Sequence, residues 1–200
     1  MSNAPRDQAI LEFPAVASAD TCAVWNILSS RTLSSAIKGR CHLTLAKFVL
    51  YECLDKPRKK PSEDLHLREQ LRKEITSGKH FSLHELEIED IQHLVADVGD
   101  IRRFDKGELA ALALARKYRS GFITDDRVAK KVGERIVGNL CVRTTPHLVG
   151  WLVYCGHLTD GDVKTIISDN DNYRNTQGRI GIYIQQCYEH AMGLRIRPKP

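Results

Sequence analysis

The chain of 200 residues carries 30 Lys and Arg against 25 Asp and Glu, a formal net charge of +5, with 42% hydrophobic and 28% charged residues. That length suits one compact domain, and the composition falls outside the disordered, collagenous and membrane classes. No apolar run approaches the ~20 residues that span a bilayer, and MSNAPRDQ lacks the basic and apolar parts of a secretion signal, so a cytoplasmic protein with no membrane partner is expected.

In chain order, residues 1–13 read as a flexible N-terminus, and FPAVASAD as a short buried strand ending at Asp20. TCAVWNILSS sets Val24, Ile27 and Leu28 on one helical face, and RTLSSAIKG reads as a helical turn closed by Gly39. CHLTL is a second strand leading into AKFVLYECL. Residues 55–84 then form a basic loop and a solvated helix rich in i,i+4 charge pairs, an insertion outside the core. HELEIEDIQHLVADVG spaces Leu86, Ile91, Leu94, Val95 and Val98 at helical intervals. FDKGELAALALARKYRSG is the clearest helix, with Asp105 as cap, Glu108 completing a capping box and Gly121 as terminator. The strand FIT leads to Asp125 and Asp126, the helix RVAKKVGERI to a further strand CVRT, and TPHLVGWLVYCG opens with Thr145 as cap and closes at Gly156. Residues 166–200 suggest helices around an Asn/Asp-rich loop and a basic tail. GIYIQQCYEHAMGL is amphipathic enough to pack on the core or to form a homodimer surface.

Strands alternating with helices indicate α/β layers around a parallel sheet, in which a site lies beyond the carboxyl ends of the strands. Asp20, Asp125 and Asp126 stand there, and Glu108 opens a helix nearby. Glu52, set among apolar neighbours, needs a partner if buried. Singly, each of these acids has a structural explanation: three occupy N-cap positions, Glu108 completes a capping box, and Glu52 fits an exposed helix stripe. Together, converging carboxylates call for a hard cation, Mg2+ or Mn2+. The six cysteines form no C-x-x-C pair or zinc spacing and read as reduced core thiols, and the eight histidines show no H-E-x-x-H spacing.

The order of these motifs resembles that of the PIN-domain nucleases, a family of α/β metal-dependent ribonucleases that includes toxins of bacterial toxin–antitoxin pairs. The resemblance rests on Asp20-Thr21 after the first strand, on Glu52 in FVLYECL, on Glu108 in the D-x-G-E-x-x-A pattern of FDKGELAALALA, and on the T-x-D of Thr124 to Asp126. It covers residues 14–165. The chain departs from the family in having Glu at position 108, Arg143-Thr144 where Gly-Thr is often found, and a longer basic insertion after Glu52.

The resemblance implies a three-layer sandwich with a central, mostly parallel sheet flanked by helices. It also implies hydrolysis of phosphodiester bonds, of RNA above all, with Mg2+ or Mn2+ held by Asp20, Glu108, Asp126 or Asp125, and by Glu52 directly or through water. Thr21 and Thr124 would orient water or phosphate. Lys56, Arg58, Lys59, Lys60, Arg102, Arg103, Arg127 and Lys130 are candidates for holding the nucleic-acid backbone, each equally readable as solvated surface. An antitoxin protein is the partner that a toxin would have. The contrasting reading is a PIN-like module that binds nucleic acid or protein without cutting. Aspartate-nucleophile phosphatases require Asp-x-Asp where the chain has Asp20-Thr21-Cys22. An EF-hand in DNDNYRNTQGRI fails at Arg174 and Ile180, and a receiver domain needs a different order of acids.

Overall fold

The structure is a computed structural model that describes residues 4–57, 65–99, 101–174 and 179–197. Five parallel strands, β1 (Val16–Ala19), β2 (His42–Ala46), β3 (Phe81–His84), β4 (Gly121–Ile123) and β5 (Val142–Arg143), form one sheet in the order β3-β2-β1-β4-β5. The register sets Ser18 beside Thr44 on one side and Phe122 on the other, so β1 is central. All five strands are short, and the central ones are buried on both faces, as the run Ala17, Ser18, Ala19 shows.

Helices cover both faces, as an all-parallel sheet requires. The chain order is α1 (Ala4–Leu11), α2 (Thr21–Leu28), α3 (Arg31–Ala36), α4 (Lys47–Leu54), α5 (Leu65–Ser77), α6 (Ile88–Val98), α7 (Lys106–Tyr118), α8 (Arg127–Ile136), α9 (Thr145–Tyr154), α10 (Asp160–Arg174) and α11 (Arg179–Ile196), with a 3-10 turn at Ile101–Arg103. One layer groups α6, α7 and α8, and the other groups α2, α5 and α9. The split follows from strand order: successive connections from β1 to β3 run one way across the sheet and those from β3 to β5 the other, and right-handed crossovers then fall on opposite faces. Helix α7 packs on β1, β2 and β4, and its buried Ala110, Ala111, Ala113 and Ala115 permit that close approach.

The α/β class and the three layers expected from the sequence are present, and the sheet is wholly parallel. Several local expectations are corrected. Strand β3 was not foreseen, because FSLH is a brief, half-exposed edge strand whose polar alternation reads as loop. The charged helix of residues 55–84 is not outside the core, since Leu67 and Leu71 of α5 are buried in it. The N-terminal segment expected to be flexible contains α1, whose Ile10 is buried and whose Asp7 Oδ1 lies 2.7 Å from His190 Nε2 of α11. The Asn/Asp-rich stretch continues α10 as far as Arg174, and α10 and α11 pack on the core through Val163, Ile166, Ile184 and Ala191. Cys22 and Cys155 are exposed rather than buried, and none of the six cysteines is in a disulfide.

Two termini also differ from expectation. Helix α7 ends on Arg119, which takes the left-handed conformation (φ 50°), while Gly121 begins β4. Thr144 rather than Thr145 caps α9, its hydroxyl accepting from His147 N at 3.3 Å. At Gly121 a side chain has no room: a Cβ there would stand 2.6 Å from two side-chain atoms of Pro14 and 3.1 Å from Ala17 Cβ. Gly121→Ala is therefore expected to destabilise the protein by about 1–3 kcal/mol through overpacking at the centre of the sheet, measured as a lower urea midpoint with an unchanged slope.

Candidate active site

Between β1 and β4 the strand order reverses, and the chain leaves β1 into α2 on one face and β4 into α8 on the other. Such a switch point opens a crevice at the carboxyl ends of the strands. Asp20 follows β1 directly, and Asp125 and Asp126 follow β4 within two residues of Thr124. The topology thus brings together residues that lie far apart in the chain.

Each acid reaches the crevice through a helix terminus. Asp20 caps α2, its Oδ1 accepting from Ala23 N at 2.7 Å. Asp126 caps α8, its Oδ1 accepting from Val128 N at 2.7 Å and Ala129 N at 2.8 Å. Glu108 stands in the first turn of α7 and accepts from Asp105 N at 3.1 Å, the capping box foreseen in the sequence. These positions exist for local reasons, because the first N–H groups of a helix lack intrahelical acceptors. Two caps and one first-turn acid, on three helices that begin at one edge of a sheet, then gather negative charge.

Glu52 is buried on α4, so the exposed-stripe reading does not hold. Its Oε2 accepts from Thr21 Oγ1 at 2.7 Å, and its Oε1 pairs with Lys56 Nζ at 3.2 Å. The carboxylate rests against Gly107 at the start of α7, where a Cβ would lie 2.2 Å from Glu52 Oε2 and 2.9 Å from Thr21 Oγ1. Gly107 is therefore the residue that lets α4, α2 and α7 meet.

The two neighbouring aspartates have different tasks. Both oxygens of Asp125 are taken: Oδ1 by Thr145 N at 2.8 Å, and Oδ2 by Thr145 Oγ1 and Asn26 Nδ2, each at 2.6 Å. Asp125 thereby ties α2 and α9 to the end of β4. Neither partner was singled out as part of the site from sequence, although Asn26 was legible as a lone polar residue in the apolar AVWNIL, and Thr145 as the spare hydroxyl in Thr144-Thr145-Pro146. Thr124 is fully buried and its Oγ1 accepts from Asp126 N at 3.1 Å.

The electrostatics follow from this crowding. Burial pushes the Asp20 carboxyl up to about 7, with the charges of Asp125 and Glu108 adding to the rise and the Thr124 hydroxyl and Ala23 N–H opposing it. Although the Thr124 hydroxyl is near enough to favour the ionised form, Asp20 Oδ2 is buried with no hydrogen bond of normal geometry. Burial also pushes Glu108 up to about 7, with Asp126, Asp105 and Glu52 contributing and the Asp105 N–H opposing. Glu108 is thus the hub through which Asp20, Glu52 and Asp126 share one electrostatic neighbourhood. Among the described residues, no three His, Cys, Asp or Glu side chains stand close enough as placed to hold one metal ion.

The basic candidates are dispersed. Lys56 is tied to Glu52, Lys130 to Glu134, Arg127 is exposed at the first turn of α8, and Arg102 and Arg103 are exposed in the 3-10 turn ahead of α7. Arg58, Lys59 and Lys60 lie outside the described residues. No helix among the described residues is long and apolar enough to cross a membrane. The chain is thus an α/β protein with carboxylates at helix starts near the switch point of its sheet. No family model, no curated protein and no solved structure matches it.

Two predictions separate the acids. Asp20 and Glu108 have folded pKa values near 7, above their ordinary values of 3.8 and 4.5, so the folded state binds more protons than the unfolded state between roughly pH 4 and 7. Their contribution is complete below pH 4 and is lost as pH rises through 7. Asp20→Asn keeps the helix cap and removes one such charge. With chelator present it is expected to be more stable than wild type at pH 8, on the order of 2 kcal/mol, and to show a smaller advantage at pH 5 in urea melts. Asp125→Ala leaves the Thr145 and Asn26 donors unsatisfied and is expected to lose about 2–4 kcal/mol at either pH, measured in the same melts.

Proposed function

We propose that the chain is a PIN-like, metal-dependent endoribonuclease whose acidic crevice holds Mg2+ or Mn2+. The observation that carries this reading is that Glu108 interacts electrostatically with both Asp20 and Asp126, while the buried Oδ2 of Asp20 makes no hydrogen bond of normal geometry. An orphaned carboxylate oxygen amid other carboxylates fits a hard cation, because all the donors are oxygen and burial of their charge is otherwise opposed. Asp20, Glu108 and Asp126 would hold the ion, and Asp125, already saturated by Thr145 and Asn26, would keep the walls of the crevice fixed.

When bound, the ion supplies Lewis-acid chemistry, activating a water and neutralising charge on the scissile phosphate. The remaining work falls to the chain. The N-terminal N–H groups of α2, α7 and α8 turn positive potential toward an anionic substrate. Thr21 orients Glu52, and Glu52 holds α4 against the start of α7. Arg127 follows Asp126 in the chain, Lys56 is paired with Glu52, and Arg102 and Arg103 lie exposed in the turn ahead of α7, all suited to the sugar–phosphate backbone.

A second reading, a scaffold of this kind that binds nucleic acid without cutting it, is favoured by one observation: the acids already serve as caps, and no three of them converge as placed. One experiment separates the two. Single-stranded RNA and DNA of the same sequence are incubated with the protein in Mn2+ or in chelator. Wild type is expected to cut RNA only with the metal, and Asp20→Asn and Asp126→Asn each to lose more than about 100-fold of that activity. Mn2+ is also expected to raise the melting temperature of wild type and not of Asp20→Asn. Cleavage that survives both substitutions removes the site assignment, and metal-independent RNA binding without cleavage selects the second reading.

A further inference from the structure

A groove of about 720 Å3 lies away from the carboxylates. It opens where β1, β4 and β5 begin, at Val16, Gly121 and Cys141, whereas the acids follow the opposite ends of β1 and β4. Part of its wall is apolar, with Phe13, Pro14, Val16 and Leu140 facing it. The lining is mainly apolar, and a few hydrogen-bonding side chains, Thr44, Ser82, His42 and His84 among them, interrupt it.

Three observations bear on what the groove takes. First, Ser82 Oγ lies 2.8 Å from His42 Nε2 and 2.9 Å from His84 Nε2, joining β2 and β3 in a relay across the groove wall. A hydroxyl has one proton, so it donates to one imidazole and accepts from the other. Second, Thr44 lines the groove with its side chain almost wholly buried, 6% exposed, and its hydroxyl has no partner in the protein. A buried hydroxyl without a partner costs about 1–3 kcal/mol, which a ligand acceptor or donor would recover.

Third, the groove is bordered by two guanidinium groups. Arg143 is only 2% exposed, and its donors go to the carbonyls of Glu12, Asn139 and Val142 at 3.0–3.2 Å. Among the described residues it forms no ion pair with a carboxylate, an uncommon condition for a buried charge. Desolvation lowers its pKa, and the nearby Cys141 and Glu12, both also in the groove wall, oppose that fall only in part. Arg119, the one non-glycine residue among those described with positive φ, is held in the left-handed region at the end of α7, where it also lines the groove. Such backbone strain costs about 1 kcal/mol and gathers where side chains are being aimed.

We infer that this groove is a binding site, separate from the acidic crevice, for a small organic anion with an apolar body. The anionic group is balanced by Arg143 and Arg119, the apolar body lies along Phe13, Pro14 and Val16, and Thr44 and the His42–Ser82–His84 relay meet its hydrogen-bonding groups. The inference does not depend on nuclease activity.

The test uses the full chain in chelator and titrates it with 8-anilinonaphthalene-1-sulfonate, an aromatic anion whose fluorescence reports transfer from water. Expected is one saturable site with a dissociation constant below about 100 μM, weakened about tenfold or more by Arg119→Glu. Benzoate is expected to displace the probe and benzyl alcohol, its neutral counterpart, to fail. Thr44→Phe, which fills the groove, is expected to abolish binding, and circular dichroism shows whether it remains folded. If it does not fold, Arg119→Glu at the exposed rim decides alone. Absence of saturable binding, affinity unchanged by Arg119→Glu, or equal displacement by the neutral alcohol overturns the inference.

Discussion

The structure depends on a conflict between where helices begin and what burial tolerates. Asp20, Glu108 and Asp126 each satisfy N–H groups at the head of a helix, a favourable local arrangement in which the helix dipole also attracts negative charge. The sheet brings those three helix heads to one edge, and there burial raises the pKa of Asp20 and Glu108, with neighbouring carboxylates adding to the rise. Local stability and collective electrostatics thus act against each other at the same atoms. A fold that keeps such an arrangement gives up stability near neutral pH.

What holds the arrangement open is a set of neutral or already balanced contacts around it. Asp125 is a strut whose two oxygens bind Thr145 and Asn26, fixing α9 and α2 on either side of the end of β4. Glu52 is a second strut, bound by Thr21 and Lys56 and seated against Gly107. Neither is available for large rearrangement without loss of buried hydrogen bonds. The freedom in the crevice therefore belongs to Asp20 Oδ2 and to the parts of Glu108 and Asp126 not engaged as caps.

Much of this was legible in the sequence, and what was missed has physical causes. The α/β alternation, the helix heads at Asp20, Asp105 and Asp126, and the candidate acids follow from local signals that the structure repeats. Strand β3 escaped because an edge strand is half-exposed and lacks the apolar run of a central one. Helix α5 escaped because two buried leucines, Leu67 and Leu71, are outnumbered by charges that face solvent. Arg119 ends α7 in a conformation that favours glycine, so Gly121 looked like the terminator when the need for space beside Pro14 had fixed it there. Whether a given Asp caps a helix or braces a neighbouring one is decided by tertiary partners, as Asp125 and Thr145 show, and adjacency in sequence carries no trace of it.

The central position of β1 has a consequence for synthesis on the ribosome. Ser18 emerges early, yet one of its two neighbouring strands is β4, with Phe122 as partner. Until that distant segment leaves the exit tunnel, β1 has an open edge and the crevice lacks a wall. Long-range parallel pairing of this kind is slow and leaves apolar edges uncovered in the meantime. The whole stretch from β2 to β4 thus follows Asp20 out of the tunnel before it can meet Asp126, and the acidic cluster forms only after that delay.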